Sequence, residues 1–288
     1  MSVYRRAYLP YVGQLTPPQW RFWVLTRYAL KDVFDSRPLL AYLYLTGAPV
    51  FAAGFVIYLM HNSAARTLIG LMKLEHFLTI DAEFFYRFLS TQCFLGLILS
   101  AWVGPRLIAN DLSNGALPLY LSRPFSRIEY VIGKALVLVT LLSSITWVPG
   151  LLLYGLNSAI AENGWGVSHF RIVGALFLGG TSWMTVMTLF VLSLSAWIRW
   201  QLAASVSMFG IYFISAGLGE AVNLGLGVTW GNVVNLGHLF EVLWGALFGI
   251  PLGKPGVPLV TAEVALIVWS IVSMWVIHRR LRAREDVQ

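Results

Sequence analysis

The chain has 288 residues, 58% of them hydrophobic and 11% charged, with a formal net charge of +7. Soluble domains carry about 25% charged residues, so this composition, with a mean hydropathy of +0.71, excludes a soluble globular domain and indicates a polytopic integral membrane protein. One cysteine, Cys93, lies in an apolar run; it excludes an intrachain disulfide and reads as a small buried side chain.

The opening MSVYRRAYLPYVGQL holds no apolar core of signal-peptide length, so the N-terminus is expected to be retained. Thr16-Pro17-Pro18 is a helix-start signal, a capping residue with proline in the first turn. Residues 19–35 are helical and amphipathic. At about 100° per residue, Phe22, Trp23, Ala29, Leu30, Val33 and Phe34 share one side, and Arg21, Lys31, Asp32 and Asp35 the other. Trp20, Val24 and Tyr28 interrupt the polar side. A basic, aromatic-rich helix of this kind is predicted to lie in the membrane interface rather than to span it. Residues 1–37 thus form a tail and interfacial helix ahead of a transmembrane domain over 38–278.

Crossing the hydrocarbon core takes about 20 apolar residues. Six segments meet that length, near 38–60, 88–108, 130–156, 172–198, 202–221 and 258–277. Pro149-Gly150 predicts a kink in the third. Gly179, Gly180, Ser193 and Ser195 let backbones approach closely in the fourth. A tight turn, Arg199-Trp200-Gln201, leads to the fifth, and Glu263 lies near the outer end of the sixth.

Two connections are longer than joining requires. Residues 61–87 are predicted to form a short surface helix. Within 222–257, the piece 236–250 (LGHLFEVLWGALFGI) is apolar but too short to span, which predicts a re-entrant or interfacial helix before the last span. A carboxylate at mid-bilayer costs on the order of 2.5–3.5 kcal/mol on insertion scales. Glu220 is therefore either a pathway or gate residue, bonding into the 222–250 segment, or a solvated span end; Asn223 and Glu241 are gate candidates beside it. His238 and Glu241, at i and i+3, are expected to form a structural pair.

Fifteen of the twenty Lys and Arg fall on the side of the termini, which predicts both termini in the cytoplasm. The basic tail 279–288 reads as an anchor on anionic lipid, not a nucleic-acid site. No two of the five histidines have zinc-ligand spacing, and residues 249–255 (GIPLGKP) lack the spacing and the Ser/Thr of a Walker A loop. No catalytic, metal or cofactor site is expected on this chain. Energy would have to come from a partner.

The stretch 108–134, IANDLSNGALPLYLSRPFSRIEYVIGK, separates the second and third spans. A polar turn (Asn110, Asp111, Ser113, Asn114, Gly115) precedes a short apolar segment, 116–121, and then Arg123-Pro124-Phe125-Ser126-Arg127. Asp111 or Ser113 is predicted to cap a short helix, and Pro124 to end it by favouring extended geometry at Arg123. From these residues alone the stretch is either an ordinary connecting loop or a compact helix offered to a soluble partner.

This layout resembles the cytoplasmic signature of ABC-2 type transporter permeases. Asp111 stands as its acidic residue, Gly115-Ala116-Leu117 as its Gly-Thr-Leu-like turn, Pro124-Phe125-Ser126-Arg127 as its Pro-x-Ser-Arg, and Gly133-Lys134 as the glycine and lysine opening the next span. The family more often has Glu at the first position and Thr at the place of Ala116. The resemblance implies an all-α, six-helix permease, with an interfacial helix before the first span and a re-entrant helix before the last. It further implies export, a second permease subunit, and separate ATPase subunits that carry ATP and Mg. Coupling would run through residues 109–129, with Asp111, Gly115, Leu117, Leu119, Arg123, Pro124, Ser126 and Arg127 as the contacts, in a bacterial cytoplasmic membrane. Two other classes stay open. A stand-alone secondary transporter or channel would want buried charges in several spans or an inverted repeat, and a non-transporting anchor that recruits a cytoplasmic protein would carry a similar loop.

Overall fold

The computed structural model describes residues 20–64, 67, 79–115, 126–161, 164–251 and 256–282. Among them every regular element is a helix. α1 (Arg21–Asp35) precedes α2 (Arg37–His61); α3 (Ala82–Ser113) and α4 (Arg127–Ile145) follow, and α4 continues after a break as α5 (Trp147–Ile160). A single turn, α6 (Trp165–Ser168), leads to α7 (Arg171–Trp197) and α8 (Gln201–Leu226). A 3-10 turn (Trp230–Val234), α9 (Leu236–Phe248) and α10 (Leu259–Arg282) complete the described chain. Among the described residues six stretches are long and apolar enough to cross a membrane: α2, α3, α4 with α5, α7, α8 and α10. These are the six spans the apolar runs predict.

α3 and α7 form the centre. Their apolar stretches are 72% and 67% buried, against 11% for α2 and 22% for α8, which leaves the latter two with faces for lipid or another subunit. Pro105 interrupts the hydrogen-bond ladder of α3, because it lacks an N–H and crowds the preceding turn. The Ser195 hydroxyl of α7 enters at this point, accepting from the Ala109 N–H (2.9 Å) and donating to the Pro105 carbonyl (3.1 Å). Ser195 thus supplies a buried interhelical hydrogen bond as well as the close approach expected of a small residue.

The third span breaks at Thr146, with φ −100° and ψ −94°. Pro149 cannot donate to the Ile145 carbonyl, and the Thr146 hydroxyl donates back to Leu142 (2.7 Å). The kink predicted at Pro149-Gly150 therefore falls one turn earlier.

Several helices outrun their apolar runs. α3 begins at Ala82, where the Asp81 carboxylate accepts from the Phe84 N–H (3.0 Å) as an N-cap. Residues 82–87 consequently belong to a span and not to the surface helix predicted over 61–87, most of whose remainder lies outside the described residues. α3 also runs on through Asp111 to Ser113, so both sit in the last turn of the span; the short helix they were expected to cap lies outside the described residues. α8 continues to Leu226 and stops at Gly227 (φ +63°), which puts Glu220 inside the helix rather than at its end.

α1 turns a narrower stripe inward than its sequence predicts. Thr26 and Val33 are buried and Phe22, Leu25, Ala29 and Leu30 half-buried, whereas Trp23 and Phe34 are exposed beside Trp20 and Tyr28. α9 packs on α7, where the Trp244 indole N–H donates to the Gly179 carbonyl (3.2 Å) in the notch that glycine leaves. At the C-terminus of α9, Arg171 donates to the carbonyls of Leu247 (2.9 Å) and Ala246 (2.6 Å). A cation there satisfies free carbonyls and faces the negative end of the helix dipole.

Candidate functional site

Residues 114–126 join α3 to α4, and both ends of this connection are built from complementary chemistry. On the α3 side, the Asn114 N–H returns to the Asn110 carbonyl (3.0 Å), and Gly115 takes φ +63°, a left-handed turn that glycine adopts without a Cβ penalty. On the α4 side, Ser126 is the N-cap. Its hydroxyl accepts from the Glu129 N–H (3.2 Å), while the Glu129 carboxylate accepts from the Ser126 N–H (2.6 Å). This is a capping box, legible in the sequence Ser126-Arg127-Ile128-Glu129 yet not used in the sequence reading.

Asp111 and Lys134 meet across this base. The Asp111 carboxylate lies 2.8 Å from Lys134 Nζ, and the same oxygen accepts from the Tyr130 hydroxyl at 2.8 Å. Tyr130 and Lys134 are four residues apart, on one face of α4, and the ammonium also lies 5.6 Å from the Tyr130 ring centroid. Lys134 is 7% exposed and Tyr130 fully buried. The resemblance marks Asp111 as a contact to a partner; its carboxylate is instead turned inward, onto its own bundle. Tyr130 was absent from the sequence-based site, and its position one helical turn before Lys134 is the signal that could have found it.

A third helix joins at the same level. The Thr26 hydroxyl of α1 donates to the Gly133 carbonyl (2.9 Å), and a methyl group on Gly133 would sit 3.0 Å from the Phe22 carbonyl. Gly133 is thus the place where α1 and α4 cross with backbones nearly touching. α10 is fastened at this end too, since the Arg280 guanidinium stacks over the Trp197 ring at 3.9 Å. Of the other predicted coupling residues, Gly115, Ser126 and Arg127 flank the connection, whereas Leu117, Leu119, Arg123 and Pro124 lie outside the described residues.

The gate candidates do not converge. Glu220 is exposed and forms no hydrogen bond or ion pair among the described residues, so the predicted bond from its carboxylate into the following segment is not made. Asn223 makes that link: its Oδ1 accepts from the Gly231 N–H at 2.8 Å. The contact is close because two glycines meet there; a methyl group on Gly231 would lie 2.6 Å from both Asn223 Oδ1 and the Gly219 carbonyl. Glu241 pairs with His238 (3.6 Å) on α9, as their spacing predicts, and is half-exposed.

A model of the family described as ABC-2 family transporter protein matches residues 20–243. A comparison with curated proteins finds no match. The matched region covers more than half of the chain and takes in α1, the braced loop base and the start of α9, and the chain belongs to the ABC-2 family of transporter proteins, as a membrane permease of an ABC transporter.

Proposed function

We propose that this permease lines half of an export pathway, completed by a second permease subunit and driven by separate ATPase subunits docked on residues 114–126. The braced loop base carries this reading. Asp111, Tyr130 and Lys134 tie together the helices that enter and leave the loop, and Gly133 brings α1 to the same point. A force applied to the loop would move α1, α3 and α4 as one body. A mere connection has no need of a nearly buried ion pair, whose desolvation is costly.

ATP and Mg belong to the partner subunits, and this chain contributes coupling and pathway. Export and pairing follow the resemblance, and the apolar faces of α2 and α8, with Phe51 and Phe213 exposed, offer area for a second subunit as well as for lipid. Both termini lie in the cytoplasm of a bacterial cell, on the side of fifteen Lys and Arg. α1 lies in the interface, where its exposed Trp20, Trp23 and Tyr28 suit the headgroup layer.

The 3-10 turn and α9 form a re-entrant hairpin. Three contacts support this: Gly231 beside Gly219, Gly237 beside the Tyr212 hydroxyl midway along α8, and the return of α9 to Arg171 at the start of α7. The test of the whole reading is Leu117→Asp and Leu119→Asp. Both variants should insert normally yet fail to co-purify ATP-hydrolysing subunits from membranes; unchanged association and turnover would overturn the docking site.

A further inference from the structure

Between α3 and the start of α8 lies a cleft of about 690 Å³. One wall is a single stripe of α3: Ile98, Trp102, Arg106, Asn110 and Ser113 recur every three or four residues and so share a face. Arg199, in the turn between the fourth and fifth spans, begins the other wall, which Gln201, Ser205 and Phe209 of α8 continue at helical spacing.

The two walls are graded in the same direction. Toward the middle of the bundle they present Ile98, Trp102 and Phe209. Toward the end that carries residues 114–126 they present two guanidinium groups with amide and hydroxyl neighbours, together with the exposed Trp200 and Leu202 at the mouth. Arg106 and Ile98 are eight residues apart, about 12 Å along a helix, so the apolar part of the cleft is as deep as the upper portion of an acyl chain.

Arg106 and Arg199 are both exposed, and neither has an ion pair among the described residues; Asp111, five residues on from Arg106, is taken by Lys134. No side chain caps the N-terminus of α8, so its first-turn N–H groups add positive potential on this wall. A neutral occupant would leave both guanidinium groups to water alone. A small soluble anion would match the charges and leave Trp102 and Phe209 uncovered. Guanidinium forks fit phosphate oxygens in bidentate fashion, and the apolar wall fits a chain attached to that phosphate.

We propose that this cleft binds an anionic phospholipid, with its phosphate between Arg106 and Arg199 and its acyl chains along Trp102 and Phe209. The cleft is formed by this chain alone, so the lipid binds whether or not an ATPase docks at residues 114–126. The test uses full-length protein in mild detergent, with occupancy read by native mass spectrometry after adding phosphatidylglycerol, phosphatidylcholine or inorganic phosphate. Phosphatidylglycerol should be retained over phosphatidylcholine, and equimolar inorganic phosphate should not displace it.

Arg106→Gln and Arg199→Gln should each weaken phosphatidylglycerol binding about tenfold. Arg87→Gln, in an exposed pair with Glu83 at the opposite end of the bundle, should not. Equal retention of the two lipids, displacement by inorganic phosphate, or parental affinity in the double arginine variant would each overturn the proposal. A second readout needs no arginine variant. Brominated phosphatidylglycerol should quench tryptophan fluorescence more than brominated phosphatidylcholine, and Trp102→Phe should shrink that difference; an unchanged difference would overturn the site.

Discussion

Asp111→Ala withdraws the carboxylate that faces Lys134 and Tyr130 across the loop base. What remains is an ammonium only 7% exposed and a buried phenol that has lost an acceptor. Removing one partner of a buried ion pair typically costs about 3–5 kcal/mol, because the other charge is left without compensation. The Asp111 side chain keeps 16% of its exposure, so water reaches this end of the pair and the lower bound applies. Asp111→Asn retains the shape and an acceptor for Tyr130, and loses only the charge reinforcement, about 2 kcal/mol. Replacing both partners, Asp111→Leu with Lys134→Met, removes the stranded charge and should recover most of the stability of the parent. The assay is unfolding of the purified chain in mixed detergent micelles, followed by helical circular dichroism. Parent, Asp111→Leu, Lys134→Met and the double variant form a cycle whose coupling energy isolates the pair. Parental stability in Asp111→Ala, or a double variant no better than the single, would show that both charges are simply solvated and that the base is not braced.

Gly133→Val forces a branched side chain into the crossing with α1, where even a Cβ would lie 3.0 Å from the Phe22 carbonyl. α1 should lift away, and trypsin should cut at Arg27 and Lys31 faster than in the parent; equal cleavage rates would refute the crossing as a constraint. Asn223→Leu deletes the acceptor of the Gly231 amide, so hydrogen exchange at Gly231 should accelerate, while Glu220→Gln should leave it unchanged. The reverse pattern would return the latch to the carboxylate. A cysteine placed at Arg284 should react with an impermeant reagent only from the cytoplasmic face of the membrane; reaction from the outer face would invert the topology.

The six spans were legible because lipid imposes a length and a hydropathy that a chain can meet in few ways. Their ends were not. A hydrophobicity count stops at the first run of polar residues, but α3 continues through Asn110, Asp111 and Ser113, because Asp111 finds Lys134 and Tyr130 on another helix. The same holds at Glu220, which α8 carries on its exposed side without interruption. The loop base was half legible. Gly133 and Lys134 stood out only through a family resemblance, and their physical roles, a backbone crossing and an inward ion pair, depend on neighbours 107 and 23 positions away. Arg171 illustrates the limit: the sequence shows a charge near a span end, whereas its partners, Ala246 and Leu247, are two α-helices further along the chain.

The two ends of the bundle are held by bonds of different strength, and this bears on where a driven motion would appear. At the loop end, α3 and α4 share a nearly buried ion pair with a hydrogen-bonded phenol, and a separation there would strand a charge. At the opposite end, the 3-10 turn is held to α8 by a neutral hydrogen bond that the Gly231 N–H donates to Asn223 and by the approach of two glycines that have no side chains to interlock. A neutral hydrogen bond contributes on the order of 1 kcal/mol net, several-fold less than the cost of breaking the pair. On the proposed reading, work delivered to residues 114–126 is transmitted through a base that stays closed. The hydrogen bond between α8 and the 3-10 turn is weaker than that base, so on this reading that end of the pathway should yield before the base does.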